Sequence, residues 1–227
     1  MGTSFYAPRS FANINWQDEA LRAFIHEVGD LLQVIYSTVS VLQNSLSAKS
    51  STEQTLLVNL RSRAADSKQL LNIVYDLATP LSLAPRPVNF LELGTALARN
   101  ASDRYSEVAL HTEYRPVPAI LADPERIKQA GQMIFAFVCT RGSKTVWTKV
   151  EPGSEAGMMA WTVTDDGPNL SCNFAEFFES PFHKKPISAF LFGIALARKI
   201  VLLHGGAMSV GNLPQSGFRI MVSLPEI

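Results

Sequence analysis

Two cysteines in 227 residues, Cys139 and Cys172, are too few for a disulfide framework and lack metal-ligand spacing. They read as buried thiols. No apolar run reaches the roughly 18 residues that cross a bilayer as a helix. The opening Met1-Gly2-Thr3-Ser4-Phe5 has no basic region leading into an apolar core, so no signal peptide is expected. Charge is scarce and balanced: 18% of residues are charged, with 20 basic and 20 acidic. Without net charge no field draws the chain to nucleic acid or anionic lipid. A nucleic-acid binder and a membrane protein are set aside, and a soluble cytoplasmic protein is expected. Global disorder is excluded as well, since 47% of residues are hydrophobic.

What is present begins with helical periodicity. From about Gln17 to Leu46 apolar residues recur at Leu21, Phe24, Ile25, Val28, Leu31, Leu32, Ile35, Val39, Leu42 and Leu46. No proline interrupts, so a helix of about 30 residues, or about 45 Å, is possible. Ala48-Lys49-Ser50-Ser51 reads as a turn, and Ser50 with Glu53 forms a capping-box signature. A second stripe follows at Leu56, Leu57, Leu60, Ala64, Leu70, Leu71, Val74 and Leu77, and Pro80 ends it. A single hairpin cannot bury both stripes. Pairing two copies into a four-helix bundle can, so a homodimer is expected. The alternative is that the hairpin packs on the rest of its own chain.

Residues 81–87, Leu81 to Pro87, carry two of three closely spaced prolines and read as a stiff linker. Beyond it the texture is mixed. Asn89 with Glu92 caps a helix to about Asn100, Val108–Tyr114 alternates like a strand, and Pro118–Leu121 suggests a short one. Asp123-Pro124-Glu125 places an N-cap, an N1 proline and an acid at the head of another helix. Thr145–Val150 and Met158–Thr164 read as paired strands. A helix from about Ser188 to His204 stops at Gly205-Gly206, and strands at Ala207–Gly211 and Phe218–Leu224 close the chain.

Five motifs in this order resemble a bacterial histidine kinase core. Phe24-Ile25-His26-Glu27 with Leu31-Leu32 is similar to the histidine box. Ala122 to Gln129 resembles the start of the asparagine-box helix, and Val163-Thr164-Asp165-Asp166-Gly167-Pro168 the first glycine box. Phe177 to Phe182 is similar to the phenylalanine box, and Gly193 to Val201 with His204-Gly205-Gly206 to the second glycine box. The resemblance covers nearly the whole chain. It implies an α+β protein: an N-terminal antiparallel helical hairpin forming a dimeric four-helix bundle over residues 1–80, then an α/β sandwich of the histidine-kinase ATPase type over 88–227.

The departures from the family pattern bear on activity. Where the family has two asparagines one turn apart, the first a magnesium ligand, this chain has Met133 and Phe137. Neither a thioether nor a phenyl ring supplies a hard oxygen ligand. Asn169 replaces a glycine of the first box. Leu191-Phe192-Gly193 replaces a Gly-x-Gly pattern where backbone must approach phosphate. The segment from Asn169 to Phe190 is short and free of glycine, unlike a mobile lid. Asp165, whose family counterpart contacts the adenine amino group, is retained. By itself it is equally an ordinary strand-end aspartate in a turn. Met133, Phe137, Asp165, Gly167 and Gly193 therefore mark a vestigial nucleotide pocket, with no ATP and no resident metal expected.

His26 lies off the apolar stripe, in line with Arg22, Asp30, Gln33 and Ser37. A near-neutral imidazole on a hydrated helix face can attack a phosphoryl group through its unprotonated nitrogen. By resemblance Glu27 orients the ring or accepts its proton. Gly29 leaves the helix surface low for an approaching partner. Asp30 stands where many family members carry Thr or Asn to position a dephosphorylating water; its carboxylate repels phosphoryl oxygens unless Arg22 or a partner's divalent ion offsets it. A solvated surface histidine is the bland alternative. Of the other histidines, His204 suits a helix C-terminus, His111 a strand and His183 a loop.

The expectation is a histidine phosphotransferase of a two-component phosphorelay, passing phosphoryl groups between response-regulator receiver domains through His26. The receiver carries its own magnesium. The alternatives are an ATP-dependent sensor kinase core with a divergent pocket, and a non-catalytic adaptor that docks on receivers.

Overall fold

A computed structural model describes residues 28–30, 32–42, 51–170, 174 and 189–227. The chain forms two units, Met1–Thr79 and Pro80–Ile227. Arg22, His26 and Glu27, the Ala48-Lys49-Ser50 turn, Cys172, His183 and the Phe177–Phe182 motif lie outside the described residues.

In the first unit α1 is helical at 28–30 and 32–42, and α2 spans Ser51–Ala78. The two run antiparallel, since Lys68 Nζ donates to Gln33 Oε1 at 2.7 Å and Arg61 Nη2 to the Tyr36 hydroxyl at 2.6 Å. The Arg61 guanidinium also lies 4.8 Å from the Tyr36 ring centroid. Val39, Ala64 and Ile73 are buried. Much of the predicted stripe is not: Ile35 and Leu42 on α1, and Leu56 and Leu60 on α2, stay exposed.

The second unit runs β1 (Arg86–Val88), α3 (Phe90–Arg104), β2 (Ala109–Tyr114), β3 (Ile120–Ala122), α4 (Pro124–Thr140), β4 (Thr145–Pro152), β5 (Met158–Asp165), α5 (Ala189–Leu203), β6 (Ala207–Asn212) and β7 (Phe218–Pro225). Five strands make one sheet in the order β2-β4-β5-β7-β6, parallel between β2 and β4 and antiparallel elsewhere. The short strands β1 and β3 pair separately and antiparallel. β1 shortens the linker expected over 81–87, since Arg86-Pro87-Val88 pairs as a strand. A proline is tolerated in this two-stranded ribbon because it needs no donor on its open side.

The two helix caps form as read. Asn89 Oδ1 accepts from the amides of Leu91 and Glu92, and Asp123 Oδ1 from those of Glu125 and Arg126. In β4, β5 and β7 burial alternates with period two. Val146, Thr148 and Val150 register against Asp165, Val163 and Trp161, and those against Phe218, Ile220 and Val222. All nine side chains line the buried face. Phe90 and Phe135, from α3 and α4, stand 5.5 and 6.0 Å from the Trp161 ring. The Trp161 indole donates to Thr148 Oγ1 at 2.8 Å, which satisfies its one polar atom in the core.

Candidate functional site

The alternation of β5 decides where Asp165 goes. Met159, Trp161, Val163 and Asp165 share one strand face, the face covered by helices, so the carboxylate points inward with Trp161 and Val163. Asp165 is 1% exposed. A buried carboxylate must be paired and hydrogen-bonded. Its Oδ1 accepts the Gly167 amide at 2.7 Å, and its Oδ2 meets Arg141 Nη1 at 2.9 Å. Burial pushes the Asp165 carboxyl above its usual range, while the Gly167 amide, the Arg141 charge and the Ser143 hydroxyl pull it down.

Arg141 is the C-cap of α4, and no sequence motif singled it out. Met133, Phe137 and Arg141 follow one another at intervals of four and so share one helix face. The guanidinium is sealed in: its side chain is 8% exposed. Its centre lies 5.4 Å from the Phe137 ring centroid and 4.9 Å from that of Phe218, and Nη2 donates to the Pro168 carbonyl. The Phe137 and Phe218 rings meet edge-on at 5.3 Å. Arg141 Nε is buried without a partner.

Gly167 is required here by space rather than by backbone angle. A Cβ at 167 would stand 2.7 Å from Ser143 Oγ and 3.0 Å from Asp165 Oδ1. Gly193 lies in α5, and a Cβ there would be 3.5 Å from Met133 Cβ, so the half-buried Met133 packs on α5. Leu191 is buried in the same helix. The five residues of the suspected pocket are therefore linked in two steps: Met133 against Gly193, and Phe137 and Asp165 through Arg141, with Gly167 on Asp165.

Neighbouring groups are structural. Asp166 Oδ1 accepts the amides of Lys144 and Thr145 and fastens the start of β4. Cys139 is a buried thiol whose pKa burial raises to about 11, so it is no nucleophile at neutral pH. His204 is buried at the end of α5 with Nδ1 on the Ile200 carbonyl and Nε2 accepting from the Asp123 amide. It closes the helix through hydrogen bonds, as its place at a helix C-terminus suggests. Among the described residues no group of His, Cys, Asp and Glu is placed to hold a metal ion. No described helix is long and apolar enough to cross a membrane. On α1, Gly29 has open space beside it and Asp30 is exposed.

No family model matches the chain. It is 24% identical over 180 residues to the sensor histidine kinase ZraS of Salmonella typhi, covering 75% of this chain and 38% of that one. It is 23% identical over 204 residues to ZraS of Klebsiella oxytoca, covering 88% and 44%. Among solved structures, full-length ShkA in complex with AMPPNP superposes with a TM-score of 0.74 at 22% identity, over 92% of this chain and 46% of that one. The chain spans less than half the length of these relatives. The likeness establishes an α+β fold matching the histidine-kinase ATPase type.

Proposed function

We propose that this chain is a two-component histidine phosphotransferase built on a kinase-type core, in which His26 relays phosphoryl groups between receiver domains and the ATPase-type domain takes no nucleotide. One observation carries the second half of that reading. Asp165, the carboxylate that by resemblance would meet adenine, already holds Arg141, wedged against Phe137 and Phe218. Met133 and Phe137 add that no hard ligand stands where a magnesium ligand belongs.

In the relay the unprotonated imidazole nitrogen of His26 attacks the phosphorus of an aspartyl phosphate on one receiver. The N–P bond forms, the P–O bond breaks, and the receiver's carboxylate leaves. The second transfer reverses these events onto a fresh aspartate. Glu27 orients the imidazole, and positioning supplies most of the catalysis. Gly29 keeps the docking face low. The exposed stripes on α1 and α2 support assembly as a homodimer through the hairpin, and the α/β unit serves as a docking wall.

The second reading is an ATP-dependent kinase core, and it is favoured by the comparisons, whose named relatives are sensor kinases. Calorimetric titration with Mg-ATP separates the two: silence fits the relay, and saturable binding at one site per chain establishes the kinase. Transfer from a labelled receiver to wild-type protein, abolished in His26→Ala with binding kept, fits the relay. Transfer unchanged in His26→Ala sinks it and leaves an adaptor.

A further inference from the structure

The pocket that Arg141 fills has a definite chemistry of its own. On one side are the Phe137 and Phe218 rings, which attract a flat cation. The Asp165 carboxylate and the Pro168 carbonyl are two acceptors that receive two N–H donors of one planar group, one from each Nη. The Gly167 amide, donating to Asp165 Oδ1 at 2.7 Å, fixes the direction of the carboxylate. Such a site suits a flat cation with two donors on one rigid plane, and an ammonium group offers the charge but not the plane.

We propose that Phe137, Phe218, Asp165 and the Pro168 carbonyl form a guanidinium-binding slot, and that Arg141 is its tethered ligand. This deepens the function proposed above, since the tethered ligand is what keeps the carboxylate from any external one. The tether is short: Arg141 caps α4, and Gly142 at φ +82° turns the chain away immediately after it. The slot also binds together two elements far apart in sequence, the C-terminus of α4 and the turn after β5. Its ligand class is the free guanidinium head group, which becomes a competent ligand once the tethered one is removed.

The test is chemical rescue of Arg141→Ala, followed by thermal unfolding with guanidinium chloride against sodium chloride and urea at equal concentration. The variant's Tm rises saturably by about 2–4 °C when guanidinium reaches about five times its dissociation constant. Wild-type protein shows no rise, and Arg141→Ala with Asp165→Asn loses it. An equal response in wild-type protein, or a rise that survives Asp165→Asn, overturns the slot. Should Arg141→Ala not fold, NMR of wild-type protein labelled with 15N-arginine decides. Separate, slowly exchanging Nη signals for Arg141 fit a held guanidinium, and one averaged signal overturns it. ATP binding or unimpaired transfer in His26→Ala would sink the relay reading without touching these outcomes.

Discussion

His204 and Asp123, 81 positions apart, meet through one hydrogen bond: the Asp123 main-chain N–H donates to His204 Nε2 at 2.9 Å, and both residues are buried. The bond joins the end of α5 to the head of α4. Replacing His204 with alanine strands a buried amide, which costs about 1–3 kcal/mol. The expected result is a lower urea midpoint with an unchanged slope. A midpoint equal to that of wild-type protein would show that the amide finds water instead.

Asp123 ties a third segment to the same point. Its Oδ2 accepts the Ala84 amide at 2.9 Å, while Oδ1 caps α4. These amides, Ala84 first, hold the Asp123 carboxyl below its usual range against the opposing effect of burial. A carboxyl depressed on folding contributes stability above its unfolded pKa of about 4. That contribution is lost as pH falls through the lower, folded value. Urea midpoints measured from pH 6 to pH 3 are expected to fall more steeply for wild-type protein than for Asp123→Asn. Parallel curves would count against the linkage.

The Asp165 carboxyl is shifted the other way from that of Asp123. Removing either partner alone leaves a buried, uncompensated charge or an empty site, at a cost of about 3–5 kcal/mol. Removing both costs less than the sum, with coupling of about 0.5–3 kcal/mol in a double-mutant cycle. In Arg141→Ala the Asp165 carboxyl, already raised by burial, loses the charge that pulled it down. A carboxyl raised on folding favours the native state at low pH and loses that advantage as pH climbs. Arg141→Ala is therefore expected to regain part of its deficit between pH 7 and pH 5, read by calorimetric Tm. A deficit that stays constant over this range would mean that the carboxylate reaches solvent in the variant.

These two residues also mark what the sequence made legible. Caps at Asn89 and Asp123 and the alternating strands were readable because each rests on a local rule, a short side chain bonding its own helix or a period of two. Asp165 reads from sequence as either a binding residue or a strand-end aspartate, although the same period, run on from Trp161 and Val163, places it on the buried face. Arg141 went unremarked because a cation just past a helix reads as an ordinary dipole partner. Its spacing of four from Phe137 was the available signal. What could not be read is that it crosses 24 residues of sequence to Asp165. β1 was hidden by its proline, because a three-residue edge strand has no period of its own to show.

Two glycines separate crowding from backbone strain. Gly157 and Gly217 both have positive φ, +76° and +105°. A Cβ at 157 meets nothing within 4 Å, whereas one at 217 would lie 2.1 Å from the Asp165 main-chain oxygen. Gly157→Ala is expected to cost about 1–2 kcal/mol for the left-handed conformation alone. Gly217→Ala adds displacement of β5 at Asp165, about 1–3 kcal/mol more. Denaturant unfolding of the two variants gives the difference directly. Equal losses would show that the turn before β7 shifts freely.

The exposed hairpin stripe gives the dimer a direct test. Leu56 and Leu60 lie one turn apart on α2 at 62% and 48% exposure, and Ile35 and Leu42 on α1 at 42% and 41%. Large apolar side chains in such a row favour a partner that covers them. Val58, 58% exposed, lies on the opposite side of α2 from Leu56, at a spacing of two. Charging the stripe, with Leu56→Lys and Leu60→Glu together, is expected to turn a dimer into a monomer in sedimentation velocity, while Val58→Lys leaves it dimeric. If the stripe drives assembly, the dissociation constant rises at least tenfold, since each leucine buried against a partner contributes about 1.5–3 kcal/mol. A wild-type chain that sediments as a monomer at all concentrations would remove the bundle. A Val58→Lys chain that alone dissociates would move the interface to the other face.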